Sequence, residues 1–516
     1  MKRRLEIVTR PDRPSGIARN AIANWAAFLF VAVVSFFLSP FVVNHLGNTA
    51  YGVWSLLVAV VGYLGLLDFG VRGAVTRYVA HHHAAGDNEG CSSIVSAGLA
   101  LFGLLGCAAI LLSGVLALLS PLLFNIPEQL ANDARIVLVI GGLTVAVALV
   151  SAVFGGVVTG LERFDISSGV EILLTAIRTL AVVLALREGY GLVMLGCIHL
   201  ASSVLYGVAA WLTVKKVYPD LRLRFRIPLL PHVRTILSFS MFLSTIHIFG
   251  VLIYYSDAVV IAAFLPIGAV TFYVIAGNLC DYAYKVAGAL SKMMTPRVSA
   301  LTSMGSKNVM EEILGTARIA TLAAAPIAAT FWFRGESFIN LWMGTDYGPM
   351  SGEILRILAF VVWLGGARSV AAASIIGVNR HRTLIPALAF EAVCNLALSV
   401  ALVRPFGLVG VALGTLVPSM LVSLGYIPRC LSNSTGVPAG LFYRNAWLLP
   451  TIASIPFALT NLFLEHFLPA RNLAVFFMQI TLTLPLVAAG AMVFCMTPAE
   501  KAQLSSAVRK WLRYPG

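Results

Sequence analysis

Apolar runs of about twenty residues, separated by short polar connections, recur from one end of this chain to the other, and they decide its solvent. A bilayer's hydrocarbon core is about 30 Å thick and takes a helix of about 20 residues to cross. Only helices or closed barrels satisfy their backbone polar groups there. The ten-residue alternating pattern of barrel strands is absent, which leaves an all-α, multispanning membrane protein. Composition agrees: 59% of residues are hydrophobic, 11% are charged and the mean hydropathy is +0.89. None of the connections in the 516 residues is long enough to be a soluble domain, so any chemistry has to sit among the helices.

The runs predict about fourteen spans, at 21–43, 52–76, 93–119, 136–159, 168–186, 191–214, 236–262, 267–290, 313–333, 355–377, 383–403, 407–427, 444–466 and 472–494. Residues 1–20 read as a basic cytoplasmic tail, because the first span continues where a signal peptide would end in a cleavage site. With that end inside, most Lys and Arg fall in cytoplasmic connections, densest at Lys215, Lys216, Arg222, Arg224, Arg226 and Arg234. Outer connections keep only Arg135, Arg187, Arg334, Arg404 and Arg471. The tail 495–516 is then also cytoplasmic. Topology and anionic lipid headgroups account for the net charge of +14 better than nucleic acid does. The cysteines lack close pairing and read as small buried apolar residues, and His81, His82 and His83 lack the further ligands of a metal site.

Two turns echo two others at nearly one separation. The sequence from His45 after span 1 matches that from Phe264 after span 7, with Trp54 opposite Tyr273. Arg187 to Val193 before span 6 matches Arg404 to Val409 before span 12. Six spans separate the partners, so the repeat is parallel: an N-lobe at 21–214, a cytoplasmic connection at 215–235, a C-lobe at 236–427, and two added helices within 444–494.

An ionisable side chain at mid-bilayer costs about 2.5–3.5 kcal/mol, so each asks for a reason. Asp68 with Arg72 in span 2, and Asp281 with Lys285 in span 8, stand four apart on one helix face. Glu171 and Arg178 share a face in span 5. Asp257, Arg318, Arg368 and Glu391 have no partner in local sequence. The cations Arg72, Arg178, Lys285, Arg318 and Arg368 are candidates to hold a phosphate, with snorkelling and interhelical ion pairs as the competing uses. Asp257 and Glu391, with Asp68 and Asp281, are candidates for proton or sodium coupling. Trp332 and Trp342 read as packing or interface anchors, as do Tyr254 and Tyr255 unless they line a cavity beside Asp257. Asn24, Asn278 and Asn395 are ordinary polar residues suited to sugars. No Walker sequence is present, which excludes ATP hydrolysis by this chain.

Leu46-Gly47, Tyr51-Gly52 and Leu66 to Arg72 with Arg77, then Tyr254 to Asp257 through Tyr273, then Gly377 to Asn379 through Asn395 to Gly410, resemble the polysaccharide-transporter branch of the MOP flippase superfamily. That branch includes O-antigen and exopolysaccharide repeat-unit flippases. The resemblance implies a V-shaped, MATE-like pair of bundles that moves an undecaprenyl-pyrophosphate-linked oligosaccharide from the cytoplasmic to the periplasmic leaflet of a bacterial inner membrane. It implies a cation-lined cavity, to which only Arg72 is carried over by its place in a matched motif. Polysaccharide polymerase or assembly proteins are the expected neighbours. A lipid II flippase and a cation-coupled drug antiporter are the nearest rivals; the antiporter would need acidic residues to dominate. A membrane polymerase would need a larger extramembrane segment than the outer connection Arg334–Glu353, with its Glu336 and Asp346.

Overall fold

The computed structural model describes residues 14–223, 230–306, 308–496 and 501. Most of the expected tails, together with Arg224 and Arg226, lie outside these. The described residues are helical throughout and contain no strand. The chain forms two compact units, Met1–Val270 and Thr271–Gly516.

In the first unit, helix α1 (Pro14–Leu64) is 51 residues long, too long for one crossing. It is two spans meeting at Gly47, whose φ of 75° lies in the left-handed region that glycine enters without strain. A 3₁₀ turn (Gly65–Asp68) then gives way to left-handed Phe69 and Gly70 before α2 (Val71–Ala84) resumes. Span 2 is therefore interrupted. The unit continues with α3 (Asn88–Leu123), α4 (Glu128–Gly160), α5 (Phe164–Arg187), α6 (Leu192–Val217) and α7 (Leu230–Phe264). Apolar residues from α2, α3 and α4, among them Val71, Val75, Phe102 and Val153, form its core. Helix α2 lies directly on α4, where a Cβ at Gly160 would come 2.8 Å from the Thr76 carbonyl. Such small-residue contacts let membrane helices meet at backbone distance. Helix α7 packs within this unit against α1, α2 and α3, although the sequence repeat begins at α7.

The second unit holds α8 (Gly268–Ala287), a 3₁₀ turn (Gly288–Leu290), α9 (Ser291–Ser303), α10 (Val309–Met343) and α11 (Gly348–Gly377). Then follow α12 (Ile385–Met420, kinked at Gly407), α13 (Ile427–Thr435), α14 (Ala439–Tyr443), α15 (Leu449–Phe467) and α16 (Leu473–Gly490). Eleven described helical stretches are long and apolar enough to cross a membrane. Two of them contain the kinks at Gly47 and Gly407 and are long enough for two crossings each, and α8, at 20 residues, has the length of another though it falls outside the eleven. This is consistent with the fourteen spans expected.

The repeat recurs in the backbone. Gly86 and Gly305 (φ 71° and 61°), Glu162 and Asn379 (58° and 59°), and Gly189 and Gly407 (81° and 58°) are left-handed at equivalent turns. Each pair is separated by 217–219 positions, the offset read from the motifs. Both copies also interrupt their second span with a 3₁₀ turn, at Gly65–Asp68 and Gly288–Leu290.

Several details depart from expectation. Arg334, Glu336 and their neighbours are not an outer connection: α10 runs unbroken to Met343 and α11 opens at Gly348. The cysteines are unpaired as expected, but only Cys91, Cys430 and Cys495 are buried, while Cys107 and Cys197 are exposed on helix faces. His82 bonds Asp87 at 2.9 Å, and Asp87 caps α3 by accepting from the Gly90 N–H; these two bonds hold its carboxyl below the usual range.

Helices α10 and α11 meet at backbone distance, since a Cβ on Gly366 would lie 2.7 Å from the Ala320 carbonyl, whereas Gly315 faces open space. Gly366→Ala is expected to destabilise the detergent-solubilised protein by about 1–3 kcal/mol. Gly315→Ala should leave it unchanged or raise it by up to about 1 kcal/mol, measured by thermal unfolding.

Candidate functional site

The expected cations fall into two groups once the helices are in place. In the second unit all of them have partners. Lys285 Nζ lies 2.6 Å from Asp281 Oδ2, the pair expected from their spacing on α8. Arg318 on α10 donates to the Cys495 carbonyl at the end of the last span, where a helix leaves carbonyls without intrahelical partners. Arg368 on α11 makes a two-pronged contact with Glu391 on α12: Nη1 donates to Oε1 at 2.7 Å and Nη2 to Oε2, while Nη1 also reaches Ser419 Oγ at 3.2 Å. Glu391 is buried and Arg368 largely so. Arg318, Arg368 and Glu391, unpartnered in local sequence, therefore serve contacts between helices far apart in the chain.

A fourth cation was missed as a buried residue. Arg334, read above as a topology-setting charge outside the membrane, is 1% exposed. Its guanidinium donates to Glu465 (3.0 Å), Asn461 (3.3 Å) and Gln479 (2.6 Å) and lies 4.6 Å from the centre of the Phe476 ring. Ser337 donates to the same Glu465. The run Arg334-Gly335-Glu336-Ser337 looks like a loop, yet Asn461 and Glu465 stand four apart on one face of α15, a signal that a polar partner faces them. This cluster fixes α15 and α16 to α10.

The first unit is different. The Asp68 carboxylate accepts from the Arg72 backbone N–H at 3.2 Å and so caps α2, leaving the guanidinium to point elsewhere. Arg72 is exposed, and its Nη2 extends over Gly155 of α4, beside the Tyr206 hydroxyl of α6. Among the described residues no ion pair joins Glu171 to Arg178. Glu171 is nonetheless near enough for its charge to act on Arg178, and the Arg178 charge acts in turn on His199, whose ring lies 5.1 Å from that of Trp54. His199 and Tyr206 stand seven apart on α6, two turns along one face. A polar strip thus runs along α6 inside the first unit, with Arg178 near one end and Arg72 near the other. Asp257 is buried on α7 close enough to Tyr63 for its charge to act on that phenol.

Of the candidate sugar-binding residues, Asn395 is buried and donates to Thr415, which also meets the Tyr273 hydroxyl. Asn24 accepts from Ser168. Trp342 is buried, and Trp332 packs edge-on against Phe360. Within the second unit, α10, α15 and α16 enclose an apolar groove of about 520 Å³, lined by residues such as Leu322, Pro326, Phe457 and Val487. No group of three or more His, Cys, Asp or Glu placed to hold a metal exists among the described residues.

A family model described as "Polysaccharide biosynthesis protein" matches residues 17–301. Among curated proteins, the uncharacterized membrane protein EpsK of Bacillus subtilis is 23% identical, over 82% of this chain and 85% of its own length. The probable flippase AglR of Haloferax volcanii is 24% identical, over 79% and 82%. The putative O-antigen transporter of Shigella flexneri is 19% identical, over 77% and 93%. The fold is that of the lipid II flippase MurJ in an inward closed conformation (TM-score 0.73, 16% identity, 91% of this chain and 98% of that one). An inward-facing multidrug MATE transporter of the MOP superfamily shares it (TM-score 0.68, 17% identity, 82% and 98%).

Removing one member of a buried ion pair strands the other. Glu391→Ala is expected to destabilise by about 3–5 kcal/mol, and the double change Arg368→Met with Glu391→Leu by much less. Arg72→Ala, at an exposed position, should stay within about 0.5 kcal/mol of the parent. Denaturant unfolding of the purified protein measures all three.

Proposed function

Because the chain belongs to the polysaccharide biosynthesis protein family, a branch of the MOP flippase superfamily, we propose that it flips an undecaprenyl-pyrophosphate-linked oligosaccharide between leaflets, for O-antigen or exopolysaccharide assembly. The observation that carries this reading is Arg72, which no ion pair neutralises among the described residues and whose Nη2 lies by Gly155 beside the Tyr206 hydroxyl, with Arg178 further along the same strip toward His199. A cation without a carboxylate partner inside a membrane is expensive unless an anion or water reaches it. A guanidinium offers a phosphate two parallel donors, and the interruption of span 2 lets Arg72 leave the direction of a continuous helix.

The head group enters from the cytoplasmic side and exchanges water for Arg72 and Arg178, which lowers its desolvation cost. A pyrophosphate diester carries about two negative charges, and moving each outward against a cell-negative interior gains about 2.3 kcal/mol per 100 mV. The prenyl tail stays among apolar surfaces throughout. Alternating access needs no covalent step, so the chain acts as a transporter and not as an enzyme. The inner membrane, with both termini cytoplasmic, is the setting that the basic connections favour. The buried Asp257, beside Tyr63, is the candidate for proton or sodium coupling, while Glu391 is held by Arg368.

The test is deletion of the gene and complementation. Deletion should accumulate lipid-linked oligosaccharide in the cytoplasmic leaflet and abolish surface polysaccharide. Wild type should restore export; Arg72→Ala, at equal protein level, should export at least about tenfold more slowly, the loss expected for charge-assisted bonds. Unchanged surface glycan with new sensitivity to cationic drugs would sink the reading in favour of an antiporter, and arrested peptidoglycan synthesis would point to lipid II.

A further inference from the structure

Three tyrosines and a carboxylate meet inside the first unit at a depth where none of them is needed to anchor the protein at the interface. The Tyr63 and Tyr255 rings are 5.9 Å apart, and Tyr254 stands edge-on to Tyr255 at 4.8 Å. Tyr255 lies against Gly62 so closely that a Cβ there would overlap its ring; the glycine gives the ring a seat on α1. Asp257, two residues on, is 6% exposed, whereas Tyr254 is 53% exposed. Tyr254 is ten residues from the end of α7 at Phe264, about 15 Å along the axis, near the middle of a 30 Å core. Tyrosines that anchor a protein sit at the headgroup level, with the hydroxyl in water. A half-exposed phenol at mid-depth is instead matched to a surface that is apolar in part and hydroxylated in part.

We propose that Tyr63, Tyr254, Tyr255 and Asp257 form a saccharide subsite, with Tyr254 stacking on the C–H face of a neutral pyranose and Asp257 disfavouring an anionic sugar. It rests on the flippase reading above, and adds to it a place and a class for the sugar. The chemistry fits a pyranose closely: one face of the ring is C–H, and its rim is hydroxyl. A seated Tyr255 holds Tyr254 edge-on, so that little side-chain freedom is lost when the sugar arrives. Tyr63 stands five residues before Asp68 on the same run of chain, about 7.5 Å along it, so the subsite adjoins the region of Arg72 where the phosphates are expected. The head group would then be divided, with phosphates at the cations and first sugars at the tyrosines.

Three probes test this with the full-length protein in nanodiscs: farnesyl pyrophosphate, the same lipid carrying a neutral disaccharide, and the same lipid carrying a disaccharide with a uronic acid. Binding is read by microscale thermophoresis. The neutral disaccharide should tighten binding by about tenfold over the bare lipid, and the uronic acid probe should lose that gain. Tyr254→Ala should erase the gain and leave the bare lipid unchanged, Tyr254→Phe should keep most of it, and Asp257→Asn should bring the two sugar probes together. A gain that survives Tyr254→Ala, or a variant that weakens all probes by one factor, would overturn the subsite. Bare-lipid binding indifferent to Arg72→Ala would overturn the parent reading, and is seen separately from the sugar increment.

Discussion

Hydrocarbon offers no hydrogen-bond partner, so every polar group that this chain carries below the headgroups has to be answered by another part of the chain. In the second unit the cations set among the spans find such answers. Arg318 answers the open carbonyl of the last span, Arg368 and Glu391 answer each other, and Arg334 gathers three polar side chains and an aromatic face. None of these contacts is worth much as net stability, since both partners were dehydrated to make it. Their effect is on arrangement: a slipped helix would strand a charge, and so the helices keep their register.

The same constraint shapes the backbone. A span that breaks must place its freed N–H and C=O groups, and the second span of each copy of the repeat breaks with a 3₁₀ turn. At span 2 the cost is met locally: Asp68 accepts from the Arg72 N–H, and Gly70 takes the left-handed turn that begins α2. The carboxylate that looked like the neutraliser of Arg72 is thereby committed to the backbone. Its guanidinium comes to lie by Gly155, where the missing side chain makes room for the Tyr206 hydroxyl beside it.

This sorting explains what could be read from sequence alone. The spans were legible because twenty apolar residues have one stable solution in a bilayer, and the Asp281–Lys285 pair because four-residue spacing is a property of the helix itself. The repeat was legible because its turns keep their chemistry: Arg187 to Gly191 and Arg404 to Gly407 end in left-handed or extended glycine. Arg368 with Glu391, and Arg318 with Cys495, were not, because 23 and 177 positions separate the partners and no local pattern sets which helices are neighbours. Arg334 was misplaced for a related reason. A buried cation surrounded by Glu336 and Ser337 looks solvated until α15 and α16 are packed on it.

The contrast between the units bears on mechanism. A cation whose carboxylate partner is built in cannot discriminate between a loaded and an empty site, because its field is already cancelled. A cation left uncompensated makes the empty site costly and the anion-loaded site cheaper, so the ligand's own charge supplies the differential energy that any conformational shift requires. Under the proposed function Arg72 is the cation suited to that use, whereas Lys285 and Arg368 already have carboxylate partners. On this account a carboxylate introduced beside Arg72 would stabilise the unloaded protein and slow transport together, which a neutral substitution of the same size would not do.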